Sequence, residues 1–84
     1  MPDAASTIQR TLVLRRVDPE QGMARFYALM IERDLFGTIR LVRNWGRIGT
    51  RGRELAMEFE TEKEAAEALE NLAALKRRRG YCDL

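Results

Sequence analysis

The positions of the apolar residues divide the chain into four blocks with the period of a β-strand and one block with the period of a helix. In residues 8–17, 23–34, 38–48 and 53–60, apolar side chains recur at every second position, which is typical of strands. The first block interleaves aliphatic residues with arginines, a pattern that favours a sheet edge, where charge prevents mispairing. The second block is apolar on both parities and indicates a central strand.

The parity of each position predicts which side chains share a face of the sheet, because successive side chains on a strand point to opposite faces. The parity predicted to be buried comprises Ile8, Leu12, Leu14, Tyr27, Leu29, Ile31, Ile39, Leu41, Leu55, Met57 and Phe59. The opposite parity carries a second apolar set, namely Phe26, Ala28, Met30, Val42 and Ile48. The predicted sheet therefore has apolar side chains on both faces.

From residue 61 onward the period changes to that of an amphipathic helix. Apolar positions recur at helical spacing: Ala65, Ala68, Leu69, Leu72 and Leu75. Thr61 and Glu64 have the spacing of a capping box, in which the threonine hydroxyl accepts from the third helical amide and the glutamate reaches back. The basic run at residues 76–79, followed by Gly80, is typical of a helix end, since positive charge there meets the negative end of the helix dipole.

These elements predict an α+β fold. It consists of a four-stranded antiparallel twisted sheet, connected as a meander, with one C-terminal helix of about 18 residues packed on one face. Gly and Pro between the strand blocks support short connections, as in the segment in which Gly49 and Gly52 bracket two residues. We expect residues 1–7 to form a disordered N-terminus and residues 8–84 to form a single domain.

The composition argues against several functional classes. The 84 residues include no His, one Cys and one Ser, Ser6, so we expect no catalytic base with its nucleophile, no metal site and no cofactor. Cys82 has no partner for an internal disulfide. No segment has the roughly 20 apolar residues of a membrane span or the form of a targeting signal. We therefore predict a non-enzymatic cytoplasmic protein without a small-molecule substrate.

Charge is unevenly distributed along the chain. The net charge is only +2, but residues 1–53 hold ten Arg against five acidic residues, and residues 54–84 hold five basic against eight acidic residues. Thirteen of the fifteen basic residues are Arg, whose planar guanidinium binds phosphate oxygens in pairs. The codon usage of a GC-rich genome produces the same bias, so composition alone leaves both explanations open.

Residues 42–53 combine this positive charge with the only Trp. Five arginines lie on the third strand block and its turn: Arg40, Arg43, Arg47, Arg51 and Arg53. A basic segment with an aromatic residue is typical of nucleic-acid binding, with Arg on phosphate and Trp45 stacked on a sugar or base. In a regular strand, however, the parity of Trp45 directs its indole into the core. Gly46 allows a bulge that reverses this, or lets another backbone or a ligand come close, so both placements stay open.

Residues 45–49, Trp-Gly-Arg-Ile-Gly, followed by Gly52, resemble the signature of the WGR domain. This module occurs in poly(ADP-ribose) polymerases, in some bacterial ligase-associated proteins and as small stand-alone bacterial proteins. Residues 25–29, 59–65 and 76–81 resemble three further blocks of the family in the same order, so the resemblance covers about residues 10 to 81. It implies the same sheet-and-helix fold.

The resemblance also implies a function and a role for two residues. In eukaryotic relatives the domain binds DNA near a strand break, and its Trp packs on the terminal nucleotide. Carried over to this chain, Trp45 would stack and Arg47 would contact DNA or a partner domain. DNA is therefore the expected nucleic acid, at ends, at nicks or along general duplex. Independently of the resemblance, Arg77 to Arg79 either only match the negative end of the helix dipole or, if the helix ends near the hairpin turn, extend the basic region.

A second hypothesis is a protein-interaction or self-association module. Phe26, Met30 and Val42 belong to the apolar parity opposite to the predicted helix-covered side. An apolar face left uncovered on a small sheet often marks an interface. In this alternative these three residues, together with Arg47, contact a protein partner or a second copy of the chain.

Overall fold

The computed structural model describes residues 6–84, with side chains from residue 8 onward. It contains five antiparallel strands and one long helix: β1 (Ser6–Asp18), β2 (Met23–Asp34), β3 (Ile39–Arg47), β4 (Arg53–Phe59), α1 (Glu62–Arg78) and β5 (Cys82–Asp83). The strands form one sheet in the order β4-β3-β2-β1-β5, and α1 packs on β2, β3 and β4. Of residues 1–7, which were predicted to be disordered, residues 1–5 lie outside the described residues, whereas Ser6 and Thr7 belong to β1.

The predicted α+β class and the meander of the first four strands are confirmed. The prediction missed β5, which adds a fifth strand at the outer edge of β1, opposite Leu14 and Arg15. The two residues of β5 are too few to show a period in the sequence. Their pairing with β1 depends instead on the direction that the chain takes after α1. The predicted third strand extended to Ile48, whereas β3 ends at Arg47 and Ile48 lies in the following turn.

A register shift between Ile8 and Arg10 corrects the parity predicted for the start of β1. Because the shift adds one residue to β1, Ile8 lies opposite Glu32 while Arg10 lies opposite Ile31. Ile8 is consequently separated from Leu12, with which it was expected to share a buried face, and half of its surface is exposed. Arg10 instead reaches the helix and forms an ion pair with Glu70.

The core lies between α1 and the face of the sheet that we call the helix face. Its largest fully buried side chains are Leu14, Leu29, Leu41 and Leu69. In α1 the buried positions are Ala65, Leu69 and Ala73, and their spacing of four residues lets the helix backbone lie close to the sheet. Ala73 takes the place predicted for Leu75, which is 41% exposed.

The helix ends form largely as predicted. The amide of Glu64 donates to the Thr61 hydroxyl at 3.1 Å. The Glu64 carboxylate accepts from that hydroxyl rather than from the Thr61 backbone amide, so only half of the predicted capping box is present. At the other end Gly80 has φ +96°, the left-handed conformation that commonly follows a helix.

The β3–β4 loop folds back onto the end of β3, and two glycines permit this close approach. A Cβ atom at Gly46 would lie 2.7 Å from the Cα of Gly52. The Asn44 side chain donates to the carbonyls of Arg51 and Arg53 at 3.0 and 2.9 Å and thereby ties the loop to β3. Of the alternatives left open for Gly46, a closely approaching backbone is therefore the one observed.

We predict that Gly52→Ala destabilises the protein considerably more than Gly49→Ala. Both glycines have positive φ, +69° and +94°, so each substitution costs about 1–2 kcal/mol in backbone strain. At residue 52 the new methyl group would also collide with the Trp45 carbonyl and the Phe26 ring, whereas at residue 49 it meets open space. Overpacking adds about 1–3 kcal/mol. Urea unfolding measures both values, and equal losses of stability would contradict the prediction.

Candidate nucleic-acid interface

Trp45 lies on the helix face near the end of β3, opposite Tyr27 in the register of β2 and β3. Its ring centroid is 6.4 Å from that of Tyr27, with the ring planes tilted by 39°. The indole is half-buried and packs against the core. The sequence left open whether the indole is buried in the core or exposed. In the structure both apply, because one side of the ring packs on the core and the other side borders a cleft.

This cleft, which we call the Trp45 cleft, has a volume of about 400 Å³. It is lined by Arg25, Trp45, Gly46, Arg47, Lys76 and Tyr81. The start of β2, the end of β3, the last turn of α1 and the segment after α1 each contribute to its walls. Residues far apart in sequence therefore converge at the end of the sheet that α1 leaves uncovered.

Positive charge is concentrated around the Trp45 cleft. Arg25 and Arg47 are directly opposite each other on β2 and β3, an arrangement that is destabilising for like charges. Arg43 lies on the same face, with its guanidinium carbon 5.5 Å from the Trp45 ring centroid. Among the described residues, none of these arginines forms an ion pair.

Lys76 joins this cluster from the end of α1. Its ammonium nitrogen lies 4.6 Å from the Tyr27 ring centroid and 5.4 Å from that of Tyr81. Burial lowers the pKa of Lys76 below its ordinary value of 10.5, and the positive charges of Arg79, Arg43 and Arg25 lower it further. Lys76 therefore adds positive charge from the end of α1 to this cluster, whereas the extension of the basic region predicted for Arg77 to Arg79 stays a prediction.

Two polar atoms beside the cleft are buried without a hydrogen-bond partner among the described residues: the Tyr27 hydroxyl and Nε of Arg43. A buried polar group without a partner destabilises a fold by about 1–3 kcal/mol. The cation–aromatic contacts described above offset part of this cost.

The six residues predicted to bind nucleic acid do not lie on one surface. Arg43, Trp45, Arg47 and Arg53 share the helix face, since Arg53 is opposite Trp45 in the register of β3 and β4. Arg40 points to the opposite face, which we call the open face. There it bonds Asp34 at 3.0 Å and approaches Glu32 at 3.9 Å.

Asp34, the last residue of β2, holds the Arg40 side chain of β3 across the β2–β3 turn. Its carboxylate accepts from the amides of Phe36 and Thr38, both at 2.9 Å. The hydrogen bond from Thr38 is the main reason that the pKa of Asp34 is lowered, and Arg40 contributes to the same shift. The charge of Arg40 is thus compensated within the chain, and Arg40 is not part of the cationic cluster.

The open face carries the residues predicted as protein contacts. A groove of about 370 Å³ is lined there by Thr11, Ala28, Leu29, Met30, Val42, Asn44, Arg51 and Glu54. Met30 and Val42 therefore border the groove, as does the fifth predicted arginine, Arg51. Phe26 is half-buried and contacts the β3–β4 loop near Gly52, whereas Arg47 lies at the Trp45 cleft. The roles predicted for these residues stay predictions.

Sequence reasoning missed Arg25, Lys76 and Tyr81 as members of the cleft. The signal for Arg25 was available, because it shares the parity of Tyr27 and precedes it by two residues. The position of Tyr81 carries no such signal, since it depends on the turn after α1 and on the pairing of β5 with β1.

Comparison with known proteins identifies the family of this chain. A family model described as WGR domain matches residues 10–84, and WGR domains are generally nucleic-acid-binding modules. The uncharacterised protein y4dW of Sinorhizobium fredii is 47% identical over 70 residues, which cover 83% of this chain and 34% of that protein. This chain therefore spans about a third of the length of that relative.

A solved structure has the same fold. The crystal structure of a Bacteroides fragilis protein superposes with a TM-score of 0.74 at 23% identity, covering 89% of this chain and 19% of that chain. At this identity the likeness concerns the fold alone. Within residues 6–84, no helix is both long and apolar enough to cross a membrane.

We predict that the ammonium of Lys76 titrates below 10.5 in the free protein. In the window between that lowered value and 10.5, the unfolded chain binds more protons, so the stability of the wild type rises with pH there. The Lys76→Met variant lacks this rise. NMR titration of the lysine side chain, assigned by its loss in Lys76→Met, measures the midpoint. A midpoint at or above 10.5 would contradict the cationic cluster.

Proposed function

We propose, from the premise that this chain belongs to the WGR domain family, that it binds nucleic acid through the Trp45 cleft. The observation that carries this proposal is a half-exposed indole bordered by cations without ion-pair partners among the described residues. Arg25, Arg47 and Lys76 would contact phosphate oxygens, and Trp45 would stack on a base or sugar.

A strand end or a nick suits this cleft better than continuous duplex. Inside a duplex both faces of each base are covered by neighbouring bases, whereas a terminal nucleotide has one face free for an indole. Stacking of this kind is worth about 1–3 kcal/mol per base. We therefore propose DNA ends and nicks as the preferred ligands, with phosphate contacts providing additional, sequence-independent affinity for general duplex.

The unpaired cations support the same proposal energetically. Arg25, Arg43, Arg47 and Lys76 repel one another in the free protein, and a bound polyanion would relieve this repulsion. The two unpartnered donors, the Arg43 Nε and the Tyr27 hydroxyl, would be available to ligand oxygens if the side chains adjust on binding. We further propose that the protein acts in the cytoplasm. We also propose that it is a binding module without catalysis, since the Trp45 cleft contains no carboxylate, thiol or imidazole.

We predict that Arg47→Gln and Arg25→Gln each weaken binding to nicked duplex by about tenfold, because a hydrogen bond to a charged group contributes about 1.5–3 kcal/mol. Each substitution removes one interaction with a phosphate and should therefore reduce the slope of log K against log salt by about 0.9. Fluorescence anisotropy of labelled DNA across a salt series measures both quantities. The intrinsic fluorescence of Trp45, the only Trp, should be quenched on binding to a nicked end.

Arg51→Gln is the matched control, because it removes the same charge four residues from Arg47, at a position that borders the groove on the open face. It should change affinity by less than about twofold. Trp45→Phe keeps a ring against the core while reducing the stacking surface, and so separates binding from folding. Equal losses of affinity for Arg47→Gln and Arg51→Gln, or no complex with any duplex at low salt, would contradict the proposal.

A second candidate function is self-association through the open face. The groove lined by Ala28, Met30 and Val42 favours it, because α1 packs on the other face of the sheet and leaves Ala28 and Met30 half-buried, although Val42 itself is buried. A second copy packed on this face would leave the Trp45 cleft accessible, since the cleft lies on the opposite side of the sheet. The two functions are therefore compatible.

If self-association occurs, we predict that Met30→Glu shifts the protein toward monomer, because a carboxylate in the groove would be desolvated on packing. Sedimentation velocity over a range from micromolar to millimolar concentrations measures the equilibrium. Ile48→Glu is the control, since Ile48 is exposed in a turn outside the groove. A wild type that stays monomeric throughout this range would contradict this second function.

A further inference from the structure

The basic run at the end of α1 does not act as a uniform patch of charge. Lys76 borders the Trp45 cleft, whereas Arg77 turns away from it. Nε and Nη2 of Arg77 donate to Oδ1 and Oδ2 of Asp83, both at 2.8 Å. This paired geometry is the strongest arrangement available to an arginine and a carboxylate, and it is the only bidentate ion pair among the described residues.

Asp83 belongs to the segment that contributes Tyr81 to the cleft. After α1 the chain turns back, with the amides of Gly80 and Tyr81 donating to the carbonyls of Arg77 and Lys76. It then pairs with β1 through β5, and the amide of Leu84 donates to the carbonyl of Val13 at 3.0 Å. We call residues 80–84 the C-terminal strap.

The position of Tyr81 depends on how firmly this strap is held. Its ring lies 6.4 Å from that of Tyr27 in an edge-to-face arrangement and forms one wall of the Trp45 cleft. A two-residue strand at a sheet edge contributes little stability by itself, and the side chains of Cys82 and Asp83 are exposed. Besides the packing of Tyr81 against the core, the Arg77–Asp83 ion pair is a further attachment of the strap.

We propose that Arg77 and Asp83 are positioning residues, which form a latch that fastens the C-terminal strap and so sets Tyr81 and Lys76 around the Trp45 cleft. Arg77 and Asp83 are both exposed, and their ion pair is not itself part of the Trp45 cleft. They act through the strap: an unfastened strap lets Tyr81 leave the wall of the cleft, and only the fraction of molecules with a closed strap has the complete site. The binding consequence rests on the proposed function, whereas the effect on the strap does not.

Asp83→Asn distinguishes the latch from simple electrostatics, because the two predict opposite signs. Removal of a negative charge, and release of Arg77, would strengthen the binding of a polyanion if only charge mattered. The latch predicts instead a loss of up to about fivefold in affinity for nicked duplex, because the closed fraction falls by no more than the closing equilibrium shifts when an exposed ion pair is removed. Tighter binding by Asp83→Asn would overturn the proposal.

Three further variants control for the charge and for the carboxylate. Arg77→Gln and Arg78→Gln remove the same charge from neighbouring positions, but Arg78 forms no ion pair among the described residues. The latch predicts a larger loss of affinity for Arg77→Gln than for Arg78→Gln. Asp83→Glu keeps the carboxylate and should restore at least part of the affinity. Equal effects of the two arginine substitutions would overturn the proposal.

Hydrogen exchange tests the strap without any nucleic acid. In Asp83→Asn the amides of Tyr81 and Leu84, which are hydrogen-bonded in the closed strap, should exchange several-fold faster, while the amide of Leu29 in the core keeps its rate. Unchanged exchange at Tyr81 and Leu84 would overturn the latch even if the wild type binds DNA. Faster exchange together with a wild type that binds no duplex would instead reject the proposed function and retain the latch.

Discussion

The packing of α1 on the central strands is the interaction on which the rest of the structure depends. Ala65, Leu69 and Ala73 seat the helix against Leu29 and Leu41, and the small side chains bring it close to the sheet. The helix covers only part of that face, so the end of the sheet that carries Trp45 is left open beside its last turn. The same contact thus stabilises the fold and defines the cleft.

Electrostatics at the cleft opposes folding stability. Four cations without ion-pair partners among the described residues surround one indole, and burial together with their mutual repulsion lowers the pKa of Lys76. Elsewhere in the chain Arg10, Arg33 and Arg40 each meet a carboxylate. A concentration of uncompensated cations around an aromatic ring is the distribution expected of a surface that receives negative charge from a ligand.

The alternation of side chains along a strand places residues that are close in sequence on opposite faces of the sheet. Arg40 and Arg43 are three residues apart on β3, and their opposite parity places them on opposite faces of the sheet. Arg47 at the end of β3 and Arg51 in the β3–β4 loop are separated in the same way, since Arg47 borders the cleft and Arg51 borders the groove on the open face. A cluster of arginines in sequence is therefore not a cluster on the surface.

The sequence by itself determined the α+β fold, the meander, the faces of β2 and β3 and the ends of α1, because these features depend on local period and turn chemistry. It also indicated Trp45 and Arg47 through the family signature. Only the tertiary structure decided that Trp45 is both packed and accessible, that Arg40 is compensated by Asp34, and that Lys76 and Tyr81 complete the cleft. These outcomes depend on contacts between residues distant in sequence, above all on where α1 ends over the sheet and how the strap pairs with β1. The local pattern of apolar and polar residues does not predict such contacts.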